Sequence, residues 1–465
     1  MKIGVLFLSG ACLFFFSCQK GNVLSSQRAV TSDLITKSNY SSEEDFFVST
    51  EDMECYSEFM SHLKGKKQKG QVIEVTPVSY RGEVTGYVVN YEDGWQVISS
   101  DKRGPIILAE SSQGLFNFQD APKGVQVWLN ILFDDIFVRK FYLKEYYESI
   151  TKEGVEEEAL SCNMWRLFVA GPDAKNNNET KGPPTEPPGR HQYSYTYTTT
   201  EYVDGVSHLL QTSWRQNSPY NSLCPFVSTT SSNHCLVGCT ALAGAQVLYY
   251  LHYFTGMPTA SPTSCSFIDN YPIFSAYSPY AWNYIDQPND SFDYRGMFIA
   301  SVACEAETNF GEEESGTTVL KLKNGAFTHY GVQCDYSTTY IRDTVFHNIK
   351  SHLPVIFGAN RYVDLFNYPG HTWVIDGYVN EVITYHDVYE WVYLTEPTGP
   401  VAAPPPPYEI LSQSSSLKYF LMNWGYGNNH GEDDAYYATD GSWCNPLIPN
   451  SNPYVYAKEI LTRYR

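Results

Sequence analysis

A thiol placed directly after a glycine is the first feature with chemical weight. Gly238-Cys239 opens the run Thr240-Ala241-Leu242-Ala243-Gly244-Ala245-Gln246-Val247-Leu248, whose small and apolar residues recur at helical spacing. The pattern puts Cys239 in the first turn of a helix, with Leu242, Ala245, Tyr249 and Tyr253 along the buried stripe. Amides and macrodipole at a helix N-terminus favour negative charge, so a thiol there ionises below its usual value of about 8.5. Gly238 leaves room for another backbone to come close. A nucleophile of this kind needs a base, a group that orients the base, and donors for the developing oxyanion. Tyr368-Pro369-Gly370-His371 reads as a turn opening the buried strand Thr372-Trp373-Val374-Ile375-Asp376, with His371 at its mouth. The apolar run Tyr419-Phe420-Leu421-Met422 leads into Asn423-Trp424, an amide to accept from the second imidazole nitrogen and an indole to shield that bond. Upstream, Gln216 in Trp214-Arg215-Gln216 can join the Cys239 N–H as an oxyanion donor.

The same residues have plainer uses. Cys239 also reads as a buried helix cysteine, or as half of a disulfide with Cys235 or Cys224. Cys224, His234, Cys235 and Cys239 are four possible metal ligands, but they lack the paired knuckles of a structural zinc site. No metal or organic cofactor is expected.

The elements that must position these groups follow an N-terminal stretch with its own signature. After Lys2, Ile3 to Phe16 has the length of a signal-peptide core and is too short to span a bilayer. The end of the run, Phe14-Phe15-Phe16-Ser17-Cys18, resembles a bacterial lipobox, which makes Cys18 the lipidation site. Residues 1–18 are thus expected to be a lipoprotein signal and 19–40 a tether. The protein is expected to be exported, as an envelope lipoprotein on the outer membrane or surface or in released form, touching membrane only through its anchor. Of 11 cysteines, Cys12 leaves with the signal and Cys18 carries lipid; the remaining nine cannot all pair. Alternating residues around Asp93-Gly94 predict a hairpin over Gly86–Ser100. Trp128, Ile131, Leu132, Val138 and Tyr142 predict an amphipathic helix over Val125–Tyr147. The Pro- and Asn-rich 171–200 segment predicts an exposed linker between a folded unit at 41–170 and a second at 201–465. Within the second, Ala402–Pro407 and Ser412–Ser416 predict a proline-rich surface insertion over 395–416.

Taken together, the motifs resemble the streptopain family of bacterial cysteine peptidases. Trp214-Arg215-Gln216 with Pro219-Tyr220-Asn221, the Gly238-to-Gln246 helix, Gly370-His371 with Asp376-Gly377, and Asn423-Trp424-Gly425-Tyr426-Gly427 occur in that family's order. The resemblance implies an α+β fold: a papain-like domain whose nucleophile-bearing helix packs on a twisted antiparallel sheet, preceded by a small α+β inhibitory propeptide domain. It implies Cys239 as nucleophile, His371 as base, Gln216 as oxyanion donor, and an orienting role for Asn423 and Trp424. Gly238, Gly370 and Ser315, the last in Glu314-Ser315-Gly316-Thr317, are implied to border the substrate. Val97 to Ser111 resembles the family's inhibitory propeptide, so a zymogen is implied.

The formal net charge of −20, on a chain with 18% charged and 43% hydrophobic residues, speaks for a folded protein and against a nucleic-acid partner. The expected partners are protein or peptide substrates and the chain's own propeptide. Two other readings stay open. One is an inactive peptidase-like surface binder using its 38 tyrosines and 9 tryptophans. The other is a thiol-dependent amidase or transglutaminase.

Overall fold

The computed structural model describes residues 46–62, 70–141, 165, 190–257, 282, 285, 293–363, 366–393, 408–427, 435–439 and 457–465. The signal, Cys18, the tether, residues 142–147 of the expected helix and the acidic run 428–434 lie outside them. Among the described residues no helix is long and apolar enough to cross a membrane.

Strands supply the frame. In the N-terminal part, helix α1 (Thr50–His62) precedes β1 (Val72–Tyr80), β2 (Glu83–Tyr91), β3 (Gly94–Ser99) and β4 (Ile107–Ser111), and helix α2 (Lys123–Phe141) follows. The expected hairpin is β2–β3, closed at Tyr91↔Gly94; Gly94 takes a φ of 94°, a conformation that side chains with a Cβ resist. After β5 (Arg190–Val206) come helix α3 (Cys239–Thr255), helix α4 (Tyr294–Glu305), β6 (Asp335–Ser337) and helix α5 (Arg342–Lys350). The chain ends in β7 (Val355–Val363), β8 (Phe366–Tyr393), β9 (Tyr408–Asn423), β10 (Tyr436–Ala438) and β11 (Ala457–Thr462).

Every strand pairing is antiparallel, in the order β1-β2-β3-β4-β10-β9-β8-β7-β11-β6, with β5 added on β8. The short β10 is the hinge of this arrangement, pairing with β4 on one side and β9 on the other. Residues 43–465 therefore form one compact unit, and the 41–170 segment shares its sheet with the segment that follows.

Two sequence expectations change here. The 171–200 linker is strand from Arg190 onward, and the 395–416 insertion is strand from Tyr408 onward, with Ser412–Ser416 paired to His386–Val382. Its serines disguise a segment whose partner, Val382-Ile383-Thr384-Tyr385, is made of strong strand formers.

Side-chain alternation sorts the sheet into two faces. Val355, Phe357, Trp373, Ile375, Phe420 and Met422 join one cluster with Val125, Trp128, Leu129 and Leu132 of α2. Their neighbours Ile356 and Val374 face the other way, into a cluster with α3 and α4. Trp128 anchors α2: its ring meets Tyr340, Phe357, Trp373 and Phe420 edge-on, and its Nε1–H donates to the Ala438 carbonyl at 3.2 Å. Helix α1 covers the opposite face of the N-terminal strands, with Met53, Tyr56 and Met60 against Tyr87, Val89 and Ile98.

Helix α3 lies between sheet and α4. Residues Thr240 to Tyr249 are buried on all sides, a broader burial than one stripe, whereas Tyr253 at its end is exposed. Gly244 is the contact point that permits this, since a Cβ there would lie 2.5 Å from Leu322.

Candidate active site

Helix α3 begins at Cys239 with Gly238 as its N-cap at φ 90°. The first bond within the helix runs from Leu242 N–H to Gly238 carbonyl at 3.0 Å, so the amides of Cys239, Thr240 and Ala241 have no partner within the helix. A Cβ on Gly238 would sit 3.0 Å from the Ser315 carbonyl oxygen, so the 311–316 loop presses directly on the start of α3. Ser315 is buried, and its hydroxyl exchanges hydrogen bonds with Gly311, accepting at 2.9 Å and donating at 3.2 Å. That side chain is therefore committed inside its own loop, and the loop offers backbone to anything bound beside it.

Strand β8 delivers His371 and Thr372 to opposite faces. Thr372 faces α3, where its hydroxyl meets that of Thr240 at 2.9 Å, and the Thr240 hydroxyl also lies 3.2 Å from the Thr317 carbonyl. His371 shares the parity of Trp373 and Ile375 and is buried. A bulge opposite Ala359 and Arg361 falls at Gly370, next to His371, where an extra residue re-aims the strand.

Sulfur and imidazole come together. Burial pushes the Cys239 thiol up, but the charge of a protonated His371 and its hydrogen bond outweigh this, aided by the Thr372 N–H and Thr240, bringing the thiol from 9.0 down to about 7. Cys239 carries a free thiol, as do Cys224 and Cys235, so none of the disulfides open to Cys239 in the sequence forms. Nor do Cys224, His234, Cys235 and Cys239 converge as ligands: His234 donates its Nδ1–H to the Cys224 carbonyl at 2.6 Å and stacks on Phe226.

Asn423 does not orient the imidazole. Its Nδ2 donates to the Thr212 carbonyl at 2.8 Å, and its Oδ1 accepts from Gln246 Nε2 and Gly425 N–H, each at 3.2 Å. Thr212 in turn donates to Gln246 Oε1 at 2.8 Å. Asn423 thus closes a buried polar network that ties α3 to the end of β9, and the sequence could not foresee the competing claims of Gln246 and Thr212. The next residue supplies the orienting group through its backbone: the Trp424 carbonyl lies 2.9 Å from His371 Nε2. A carbonyl only accepts, so Nε2 carries the proton and neutral imidazole turns a bare Nδ1 away from it.

The ring over the imidazole is Tyr426, stacked at 9° with centroids 5.1 Å apart, and its hydroxyl is 3.3 Å from Nδ1. Trp373 lies parallel on the ring as well, at 6.3 Å. Tyr426 was hidden as the variable residue of Asn423-Trp424-Gly425-Tyr426-Gly427, and only its aromatic character hinted at a role. Arg215 forms a bridge with Tyr426, and the Gln216 carbonyl accepts from Val237 N–H at 3.0 Å. Gln216 is thereby held between the imidazole's cover and the residues that lead into Cys239. Asp376, fully buried, pins the approach to this segment by accepting from His208 Nδ1 at 2.8 Å and Leu210 N–H at 3.1 Å.

One further group arrives from far away in the chain. The first turn of α2 packs on His371: a Cβ on Gly124 would stand 2.5 Å from His371 Cδ2 and 2.6 Å from Trp424 Cε3. Lys123, beside it, pairs with Glu314 at 2.7 Å on the surface. The clue in the sequence was a glycine inside the first turn of a helix, where it is costly unless something approaches closely.

Residues 214–437, which include Gln216, Cys239, His371, Asn423, Trp424 and Tyr426, match the sequence model of the Peptidase C10 family. This segment, just under half of the chain, is that of a streptopain-family peptidase. It is a cysteine-type peptidase of the streptopain kind. A comparison with curated proteins returns no match. Among solved structures, a mutant fragment of Prevotella intermedia prointerpain A is similar at 21% identity over 84% of this chain and 98% of its own, with a TM-score of 0.45. Active Prevotella intermedia interpain A, a cysteine protease, is similar at 22% identity over 56% of this chain and 95% of its own, with a TM-score of 0.35.

Proposed function

We propose that the protein is an exported cysteine endopeptidase, lipid-anchored through Cys18 or released, and made as a zymogen whose N-terminal segment inhibits it until cut away. In this reading the Sγ–H proton of Cys239 passes to His371 Nδ1, and the thiolate attacks a peptide carbonyl. The Cys239 N–H and the Gln216 side chain hold the oxyanion, Gly238 and Gly370 leave room for the substrate backbone, and the Ser315 loop walls it. His371 then protonates the leaving amine and activates a water that releases the thioester. The Trp424 carbonyl braces the base, and Asn423 ties the end of β9 to α3 behind it. The substrates are proteins or peptides, and neither cofactor nor nucleic acid takes part.

The observation that carries the zymogen reading is Gly124 seated against His371 and Trp424, where the first turn of α2 occupies the space beside the base. Export rests on Lys2, the apolar run Ile3–Phe16 and Cys18. Incubating the purified full-length chain tests the reading. It should shorten itself within 171–205 and then digest casein, while Cys239→Ala stays intact and inert. Casein cleavage by Cys239→Ala would end the proposal, and an intact, inactive wild type would favour a binding protein.

A further inference from the structure

The first turn of α2 lies against the base of the proposed catalytic pair, with Gly124 on His371 and Trp424. The residue beside it, Lys123, reaches a second wall of the site: its Nζ donates to Glu314 Oε1 at 2.7 Å. Glu314 adjoins Ser315, whose carbonyl presses on Gly238 just before Cys239. One dipeptide of the N-terminal segment thus touches the imidazole through its glycine and an acidic side chain through its lysine.

The loop that carries Glu314 is sewn to the start of α3. The Gly311 carbonyl accepts from Leu236 N–H at 3.0 Å, and the Thr317 carbonyl lies 3.2 Å from the Thr240 hydroxyl, so residues on both sides of Cys239 hold the two ends. Asn309 and Gly316 exchange backbone hydrogen bonds at 3.0 and 3.1 Å and close the loop. The backbone under Glu314 is therefore fixed relative to Cys239, while its carboxylate is exposed and can take a partner from outside. Among the described residues Lys123 is the cation that pairs with it, and Lys123 belongs to the segment a substrate would displace.

We infer that Glu314 is a specificity-determining residue that favours peptides with Lys or Arg within a few residues of the bond cut, and that Lys123 occupies the place of that basic side chain. The inference rests on the Cys239–His371 peptidase reading and adds a substrate class to it. An exposed carboxylate attracts a cation weakly, because water screens the pair, so the outcome is a preference and not a requirement.

The test uses four full-length chains, each left to shorten itself: wild type, Glu314→Gln, Glu314→Lys and Glu313→Gln. The readout is kcat/KM on peptides of one composition and net charge, in which a single Lys moves across the residues on either side of the cut bond; products are identified by mass. For wild type one place should be preferred about threefold, the scale of an exposed ion pair, and high salt should erase the preference. Glu314→Gln should level it, Glu314→Lys should make the same place the worst by a similar factor, and Glu313→Gln should keep it. A preference that is absent in wild type, survives Glu314→Gln, or falls equally in Glu313→Gln overturns the inference; the last result would assign it to the general charge of the loop. Should a variant fail to shorten itself, the wild-type scan at low and high salt decides. The two readings fail separately. A wild type that cleaves no peptide removes the peptidase reading, and with it this inference. A wild type that cleaves every peptide equally well removes Glu314 alone.

Discussion

Helices α2 and α3 approach one imidazole from opposite faces of the sheet, each with a glycine at its start: Gly124 against the imidazole, Gly238 against the Ser315 loop. Gly238 lies just outside α3 and is followed by a thiol, so the amides and the dipole have a side chain whose ionisation they can favour. Gly124 lies inside α2 and nothing reactive follows it, so this helix start only fills space beside His371 and Trp424. Anchoring differs as well. Helix α3 is sealed between sheet and α4, whereas α2 rests on one face and depends on Trp128. A helix N-terminus can favour a charge only where it carries a side chain that ionises; α3 carries one and the start of α2 does not.

The comparison breaks most severely at Trp128. Trp128→Ala removes a fully buried indole and should destabilise the full-length chain by about 3–5 kcal/mol, with loss of the α2 anchor. Chemical denaturation measures it; a loss within about 1 kcal/mol would mean that α2 is not held by this contact.

Next comes the thiol. In the full-length chain Cys239 should alkylate with a midpoint of about 7. The lowered value means thiolate persists as pH falls from 9 to 7. Adding His371→Ala removes the charge responsible, returns the midpoint toward 9, and should cut the rate at pH 7 about fiftyfold.

Asn423→Ala should cost about 1–3 kcal/mol in stability, by stranding Gln246 and the Thr212 carbonyl. The pH profile of peptide hydrolysis should stay in place, because the Trp424 carbonyl still holds Nε2. A shifted profile would restore Asn423 as the orienting group. The smallest effect belongs to Lys123→Ala. Its ion pair with Glu314 is open to solvent on both sides and should be worth less than about 0.5 kcal/mol, read from the denaturation midpoint.

Much of the frame was legible in the sequence because it rests on local periodicity. Alternation announced β2 and β3 around Asp93-Gly94, and helical spacing announced α3 from Cys239 and α2 around Trp128. Where local composition misled, as at Ser412–Ser416, pairing with Val382–His386 overrode it.

Residue types in order along the chain were enough to point to the family and to single out Cys239 and His371 as candidates, because a thiol at a helix start and an imidazole at a strand mouth are written in short motifs. Which atom steadies the imidazole, where the Asn423 amide turns, and what the first turn of α2 touches were settled only on folding. Those outcomes hang on hydrogen-bond competition and close packing between residues as distant as Gly124 and His371, and no local pattern encodes a contact of that kind.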